Sequence, residues 1–373
     1  MNKKIILCLA IMSVAQASHA QSSVTLYGVI DAAVRYSSNK ATDNGPKDQL
    51  SLNEGAFSGG RWGIRGIEDL GSRNRAIFAL ESGFSYDTGK SAQQGQLFGR
   101  QAWIGLSNET LGTLKTGRQN GAAYSFLAKV DPLNIANYTE LAWQDILTGI
   151  RYDNTIDYSK NFGPVFVNAQ YSFGERAGST AIGRTIQFAT TYETDALLFG
   201  AAGTKSTDAN GKDATTWTTG LRYSFGDVSL HGYYVDSRRD PGFVVGLNGS
   251  TDPLANTSQI NNANTVAGAN TQNSVRHDRA GVLGLNYQVT PAWRLVAAYV
   301  RDNVAGASRG SSGLIQTAYF VAMYSLSKRT EVYIEADRSW LAGASVNDPN
   351  SPIGTFGGAS TRTGAAVGLR TRF

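Results

Sequence analysis

Residues 24–36 sort by parity. Val24, Leu26, Gly28, Ile30, Ala32, Val34 and Tyr36 fall on one side, and Thr25, Tyr27, Val29, Asp31, Ala33 and Arg35 on the other. Successive side chains of an extended strand point to opposite faces, so this stretch describes a wall between an apolar and an aqueous medium. The same test succeeds at 165–173, 185–193, 216–225 and 331–337, where Val167, Ile186, Phe188, Trp217, Leu221, Val332 and Ile334 alternate with Asn168, Gln187, Thr216, Arg222, Glu331 and Glu335. A chain built from many such segments is predicted to be all-β, a transmembrane antiparallel β-barrel with hydrocarbon outside and water inside.

Residues 1–20 read as a cleavable signal peptide: Lys3 and Lys4, an apolar run from Ile5 to Val14, and Ser18-His19-Ala20 before Gln21. The run is too short to span a bilayer, which takes ~20 residues. Cleavage removes Cys8, the single cysteine, so neither a disulfide nor a cysteine metal site is expected. It also lowers the formal charge of +5 by two. A nucleic-acid binder would gather its basic residues on one surface, whereas these arginines are dispersed along strands, so no nucleic-acid partner is expected. A hydrophobic content of 41% and a mean hydropathy of −0.24 exclude a helical membrane protein, while a barrel hides its apolar surface in alternate positions. The 17 tyrosines and 15 phenylalanines suit interfacial girdles.

Connections between the alternating segments switch between short and long. Short ones are expected at 68–71, 108–109, 161–164, 194–195, 226–227, 290–292 and 327–328, where Gly, Asp, Asn and Pro favour hairpin turns. Long polar ones fall at 239–275 and 341–360. The count gives about 16 strands, with short periplasmic turns, long external loops and both termini on the short-turn side. A barrel of that size leaves an aqueous channel. Residues 21–373 are expected to form this single barrel, without a domain boundary. In 314–326 both faces are apolar, which suggests a strand buried against a neighbouring subunit.

One long connection, 119–149, holds Phe126, Leu127, Val130, Leu133, Ile135, Leu141, Trp143, Ile146 and Leu147, too many apolar groups for a solvated loop. Burial against the inner wall is predicted, making this third loop a pore-constricting one that brings Asp131, Glu140 and Asp145 into the lumen.

The motifs Gln21-Ser22-Ser23-Val24-Thr25-Leu26-Tyr27-Gly28-Val29-Ile30-Asp31-Ala32, Arg61-Trp62-Gly63-Ile64-Arg65-Gly66-Ile67-Glu68-Asp69-Leu70-Gly71, Gly99-Arg100-Gln101-Ala102-Trp103-Ile104-Gly105-Leu106-Ser107 and Gly117-Arg118-Gln119, with terminal Phe373, resemble the trimeric general porins of the Gram-negative outer membrane. The resemblance is to the β-proteobacterial and neisserial branch. It implies sixteen antiparallel strands, a homotrimer, a third loop folded into each pore and passive diffusion of small hydrophilic solutes. It further implies an arginine ladder facing acidic loop residues, with Arg61, Arg100 and Arg151 at matching positions, and a role for Phe373 as a signal to the outer-membrane assembly machinery. The surroundings would be outer-membrane lipid and lipopolysaccharide. Val29 stands where enterobacterial relatives often carry lysine, and their Pro-Glu-Phe-type loop motif is absent.

The candidate basic side of the constriction is therefore Arg35, Arg61, Arg75, Arg100, Arg118 and Arg151. The candidate acidic side is Asp31 and Glu81 on the wall with Asp131, Glu140 and Asp145 on the loop. By parity Arg65, Arg222, Arg294, Arg370 and Arg372 also face the lumen, as do Asp153, Asp157, Glu331, Glu335 and Asp337. Guanidinium stays charged at physiological pH, and a confined lumen focuses its field, so a mild anion preference is expected. Some of these arginines have a structural alternative as wall ion pairs, Arg35 to Asp31 and Arg75 to Glu81. A barrel hydrolase is the rival from another class, but His231 and His277 are the only histidines after the leader and no triad signature accompanies them. No metal or cofactor motif is present. A substrate-selective sugar or nutrient channel would need a run of lumen aromatics, whereas Tyr27, Phe166, Tyr233 and Tyr333 are scattered.

Overall fold

A computed structural model of the chain describes residues 22–246, 252, 254–260, 274–307 and 310–373. The expected leader lies outside the described residues. Among those described, seventeen strands pair antiparallel with their neighbours: β1 (Ser23–Thr42), β2 (Gly45–Glu54), β3 (Arg61–Gly71), β4 (Asn74–Gly83), β5 (Gln101–Asn108), β6 (Gly112–Asn120), β7 (Arg151–Phe162), β8 (Val165–Ser172), β9 (Thr185–Glu193), β10 (Leu197–Thr207), β11 (Asp213–Phe225), β12 (Val228–Arg239), β13 (Arg276–Gln288), β14 (Trp293–Ala305), β15 (Gly313–Ser325), β16 (Thr330–Gly343) and β17 (Thr361–Arg372). β2 and β3 both pair with β1, β2 from Ala32 outward and β3 below Val29, so they are one strand interrupted at 55–60. The barrel thus has sixteen wall positions. It closes where Val29–Ser37 of β1 meets Gly364–Arg372 of β17. Closure leaves no unpaired strand edge to face lipid, which is what hydrocarbon demands of a backbone.

Parity predicts the faces of the wall. In β9, Thr185, Gln187, Ala189 and Thr191 are buried while Ile186 and Phe188 are exposed to the outside; β8, β11, β16 and β17 behave alike. Phe225, Tyr287, Trp293 and Phe373 form part of an outer aromatic belt near the short turns. The Phe373 carbonyl accepts the Gly28 N–H at 3.0 Å and its own N–H returns to the Gly28 carbonyl at 3.1 Å. A Cβ at Gly28 would lie 2.3 Å from the Phe373 ring, so glycine makes room for the terminal aromatic there. The first periplasmic turn sits slightly beyond the predicted 68–71, at Ser72 and Arg73, whose φ values of 53° and 65° suit a tight hairpin.

The third long connection enters the lumen. It carries helix α1 (Ala122–Val130) and the short helix α2 (Thr139–Ala142). Phe126, Leu127, Val130, Leu133, Leu141, Trp143 and Leu147 are buried in one cluster with the inward residues Tyr233, Val235, Val282, Val300, Ile315, Tyr319 and Val321. The same cover resolves the phase of 314–326. Ile315, Thr317, Tyr319, Val321 and Met323 point inward in ordinary alternation, and that inward face is apolar because the loop covers it.

Candidate functional site

Two cavities occupy the lumen beside the inner loop. The outer, about 270 Å³, is lined by Arg61, Arg100, Tyr124, Asp145, Arg151 and Ser258 among others. The inner, about 410 Å³, lies toward the short turns and is lined by Arg61, Glu81, Arg100, Arg294, Arg370 and Arg372 among others. Both share Phe57, Ser58, Arg61, Arg100, Tyr124 and Ile135, so they meet at a neck with two arginines on the wall side and loop residues opposite.

The interruption of the second wall strand places Arg61. At Gly55 an added Cβ would fall 1.7 Å from the Asp31 carboxylate, so the chain can turn inward only there without a side chain. Asp31 accepts the N–H groups of Phe57 at 3.0 Å and Ser58 at 2.9 Å and the Tyr333 hydroxyl at 2.8 Å, while that hydroxyl accepts the Ala56 N–H at 2.8 Å. The bend is stitched to the loop by the Ala56 carbonyl, which accepts the N–H groups of Asn137 at 2.7 Å and Tyr138 at 3.2 Å. β3 restarts at Arg61 with its guanidinium free: among the described residues neither Arg61 nor Arg151 makes an ion pair. Arg100 holds Glu81 at 2.7 Å through Nε, and the Tyr27 hydroxyl donates to the same carboxylate at 2.9 Å.

Other candidates lie elsewhere. Arg35 is 4% exposed and bonded to Glu335 at 2.9 Å and Asp337 at 2.7 Å, with Glu140 at 3.7 Å, and not to Asp31 as the structural alternative had it. Asp31 is instead consumed by the bend. Glu140 also pairs with Arg362 at 3.2 Å. Burial would raise this loop carboxyl, but the guanidinium groups of Arg35 and Arg362 hold it below the ordinary glutamate range. Arg75 does not reach Glu81. It pairs with Glu109 at 3.1 Å in the half-exposed rim by the periplasmic turns, because seven residues of strand carry it away from the neck. Asp131 is fully enclosed, accepting N–H groups of Leu133 and Ile135 and the Tyr233 hydroxyl, each at 2.9 Å. It anchors the loop and does not face the cavities.

Arg118 stands on the outward parity with Leu114 and Thr116, yet it is buried. A register shift between Gly117 and Gln119 turns it inward, and Gly117 permits it: φ is 123° and a Cβ would lie 2.2 Å from the Ala102 carbonyl. Asp145 lines the outer cavity almost without exposure. Burial pushes its carboxyl up to about 8; the Ile146 N–H opposes this and the nearby Asp131 charge adds to it. The carboxyl beside Arg151 is thus neutral at pH 7, and the arginines stand unopposed from that side.

Sequence reasoning missed Tyr124, Phe57 and Ser58. Tyr124 could have been found as the one polar-tipped aromatic in the predominantly apolar helix α1, but the other two depend on where β2 breaks. His231 Nδ1 bonds the Val130 carbonyl at 2.9 Å and His277 Nε2 the Asp236 carboxylate at 2.9 Å, so the two rings serve different structural contacts.

Comparison with known proteins bears on these arrangements. Residues 8–340 match the family described as Gram-negative porin. An outer membrane porin protein of Bordetella pertussis is 33% identical over 243 residues, covering 61% of this chain and 58% of the relative. Outer membrane porin protein 32 of Delftia acidovorans is 29% identical over 280 residues, covering 69% and 78% respectively. Among solved structures, the anion-selective porin from Comamonas acidovorans superposes with a TM-score of 0.74 at 23% identity, covering 95% of this chain and all of that one. A sixteen-position barrel, a loop folded inside it and a match over nearly the whole sequence agree: this chain belongs to the Gram-negative porin family of the outer membrane.

Proposed function

We propose that the chain is a general diffusion channel that passes ions and small hydrophilic solutes across the outer membrane with a mild preference for anions. The observation that carries this reading is the neck where two lumen cavities of about 270 and 410 Å³ meet at Arg61 and Arg100, with Arg151 above and Arg294 below and the loop carboxyl beside Arg151 held neutral. Charge on one wall of a confined lumen favours the opposite ion at the narrowest point. The margin is mild because the Debye length is about 8 Å at physiological salt and Glu81 offsets Arg100. Loop 119–149 acts as the constriction, and Arg61, Arg100 and Arg151 form its opposite side.

The names of the relatives, one of them an anion-selective porin, support the same reading. Assembly as a homotrimer, contact with lipopolysaccharide, export through a cleaved leader at 1–20 and delivery by the assembly machinery through the Phe373 strand complete it. An enzymatic role finds no support in the bonding of His231 and His277. A substrate-selective channel would require an aromatic track, but Tyr27, Tyr233 and Tyr333 each spend their hydroxyls on wall or loop carboxylates.

The test is the zero-current potential of the purified protein in a planar bilayer under a KCl gradient. Anion preference is expected; cation preference overturns the role given to the arginines, and absence of conductance overturns the pore.

A further inference from the structure

The external connection between β12 and β13 also reaches into the lumen. Its residues 254–260 lie against the third loop: the Thr257 carbonyl accepts the N–H groups of Ile150 at 2.8 Å and Arg151 at 3.3 Å, and the Ile260 N–H donates to the Ile146 carbonyl at 3.1 Å. Leu254, Ala255, Thr257 and Gln259 are all buried. Leu254 packs with Tyr152, Ala214 and Phe243 in a small apolar cluster separate from the main one. Leu254 and Ser258 adopt φ values of 64° and 57°, a conformation L-residues hold only where surroundings fix it. Ser258 lines the outer cavity together with Asp145 and Arg151.

Arg118 ties this segment down. Its Nε donates to the Gly99 carbonyl at 2.7 Å, Nη1 to Asp153 at 2.6 Å and Nη2 to the Asn256 carbonyl at 3.0 Å. The Asn256 side-chain amide closes the ring by donating to the other oxygen of Asp153 at 2.8 Å. A planar guanidinium with every nitrogen engaged is a rigid fastener, and little of its field is left for a passing ion.

Resting on the channel reading above, we propose that residues 254–260 are a second constriction element, and that Arg118 is a positioning residue that straps this element across the outer cavity through Asn256 and Asp153. The size limit on the external side is then set jointly by two inward loops. The third loop alone does not set it. Arg118 differs in this from Arg61 and Arg151, which act directly on ions.

Two measurements separate the roles. Cys8 is the only cysteine, so Ser258→Cys is a unique label in the barrel. Attachment of a bulky neutral thiol reagent should cut single-channel conductance by roughly half or more, as expected of a group placed in a pore lumen. Complete labelling, checked by mass, with unchanged conductance overturns the proposal. Arg118→Gln and, without any change of charge, Asn256→Ala should each raise conductance and admit larger neutral sugars in a liposome swelling assay, while changing the anion-to-cation ratio less than Arg151→Gln does. Arg118→Gln that lowers the ratio as much as Arg151→Gln, at unchanged conductance, also overturns it. If the unaltered protein does not conduct, the channel reading itself fails.

Discussion

Two walls of the same lumen carry arginines in similar number and treat them in opposite ways. On the side formed by β1, β16 and β17, Arg35 and Arg362 are each engaged by carboxylates, namely Glu335, Asp337 and the loop residue Glu140. On the side formed by β3 and β7, Arg61 and Arg151 have no carboxylate partner among the described residues and line open cavity. The first wall uses charge to fasten the inner loop; the second leaves it available to solutes. An inward arginine is therefore not by itself a selectivity residue. Whether its field is cancelled depends on neighbours as far as 302 positions away in sequence, as between Arg35 and Asp337.

The comparison can be broken most severely on the fastened wall. Arg35→Met leaves Glu335 and Asp337 buried without their cation, and removal of one partner from such a site costs about 3–5 kcal/mol. A large drop in the thermal transition of the purified barrel, followed by circular dichroism or heat-modified gel mobility, is expected. A transition unchanged within a degree or two would mean the ionic cluster does not hold the loop.

On the open wall the expected effect is on permeation. An ion passing at ~5 Å from a guanidinium in water gains about 0.8 kcal/mol, a factor of about four for each charge. The same charge repels a cation equally, so Arg61→Ser and Arg151→Ser should each lower the anion-to-cation permeability ratio by up to the square of that factor, about sixteen, with salt screening reducing it, and leave the thermal transition nearly unaltered. Equal loss of stability in these variants would erase the distinction between the walls.

The loop carboxyl sharpens the comparison with pH. With its proton held up to about 8, Asp145 is neutral at pH 7 and charged at pH 9, so the added negative charge beside Arg151 should reduce anion preference across that interval. Asp145→Asn should flatten the dependence. Reversal potentials measured from pH 6 to 9 in both proteins decide it.

The effect that leaves permeation untouched concerns closure of the barrel. Gly28→Ala places a methyl group 2.3 Å from the movable Phe373 ring and 2.7 Å from the Arg61 carbonyl, and overpacking of this kind costs about 1–3 kcal/mol. Slower refolding into detergent with unchanged selectivity is the expected outcome, because the contact lies on the lipid side of the wall.

The wall was legible in the sequence because its signal is local: a strand facing two solvents must alternate with a period of two, and each segment states its own phase. Loop 119–149 was legible for a related reason, since its apolar residues needed a surface to cover. Arg118 was not legible from phase, because one bulge at Gly117 reverses the parity on which the reading rests. Nor were the partners of Arg35 and Asp31, since parity fixes the side a group faces and not the register of strands distant in sequence. Composition and alternation by themselves determined a barrel with oil outside and water inside. Only the tertiary structure decided which of its inward charges are cancelled in pairs and which remain facing the water, because Coulomb and hydrogen-bond energies depend on separations of a few ångströms that closure of the barrel alone brings about.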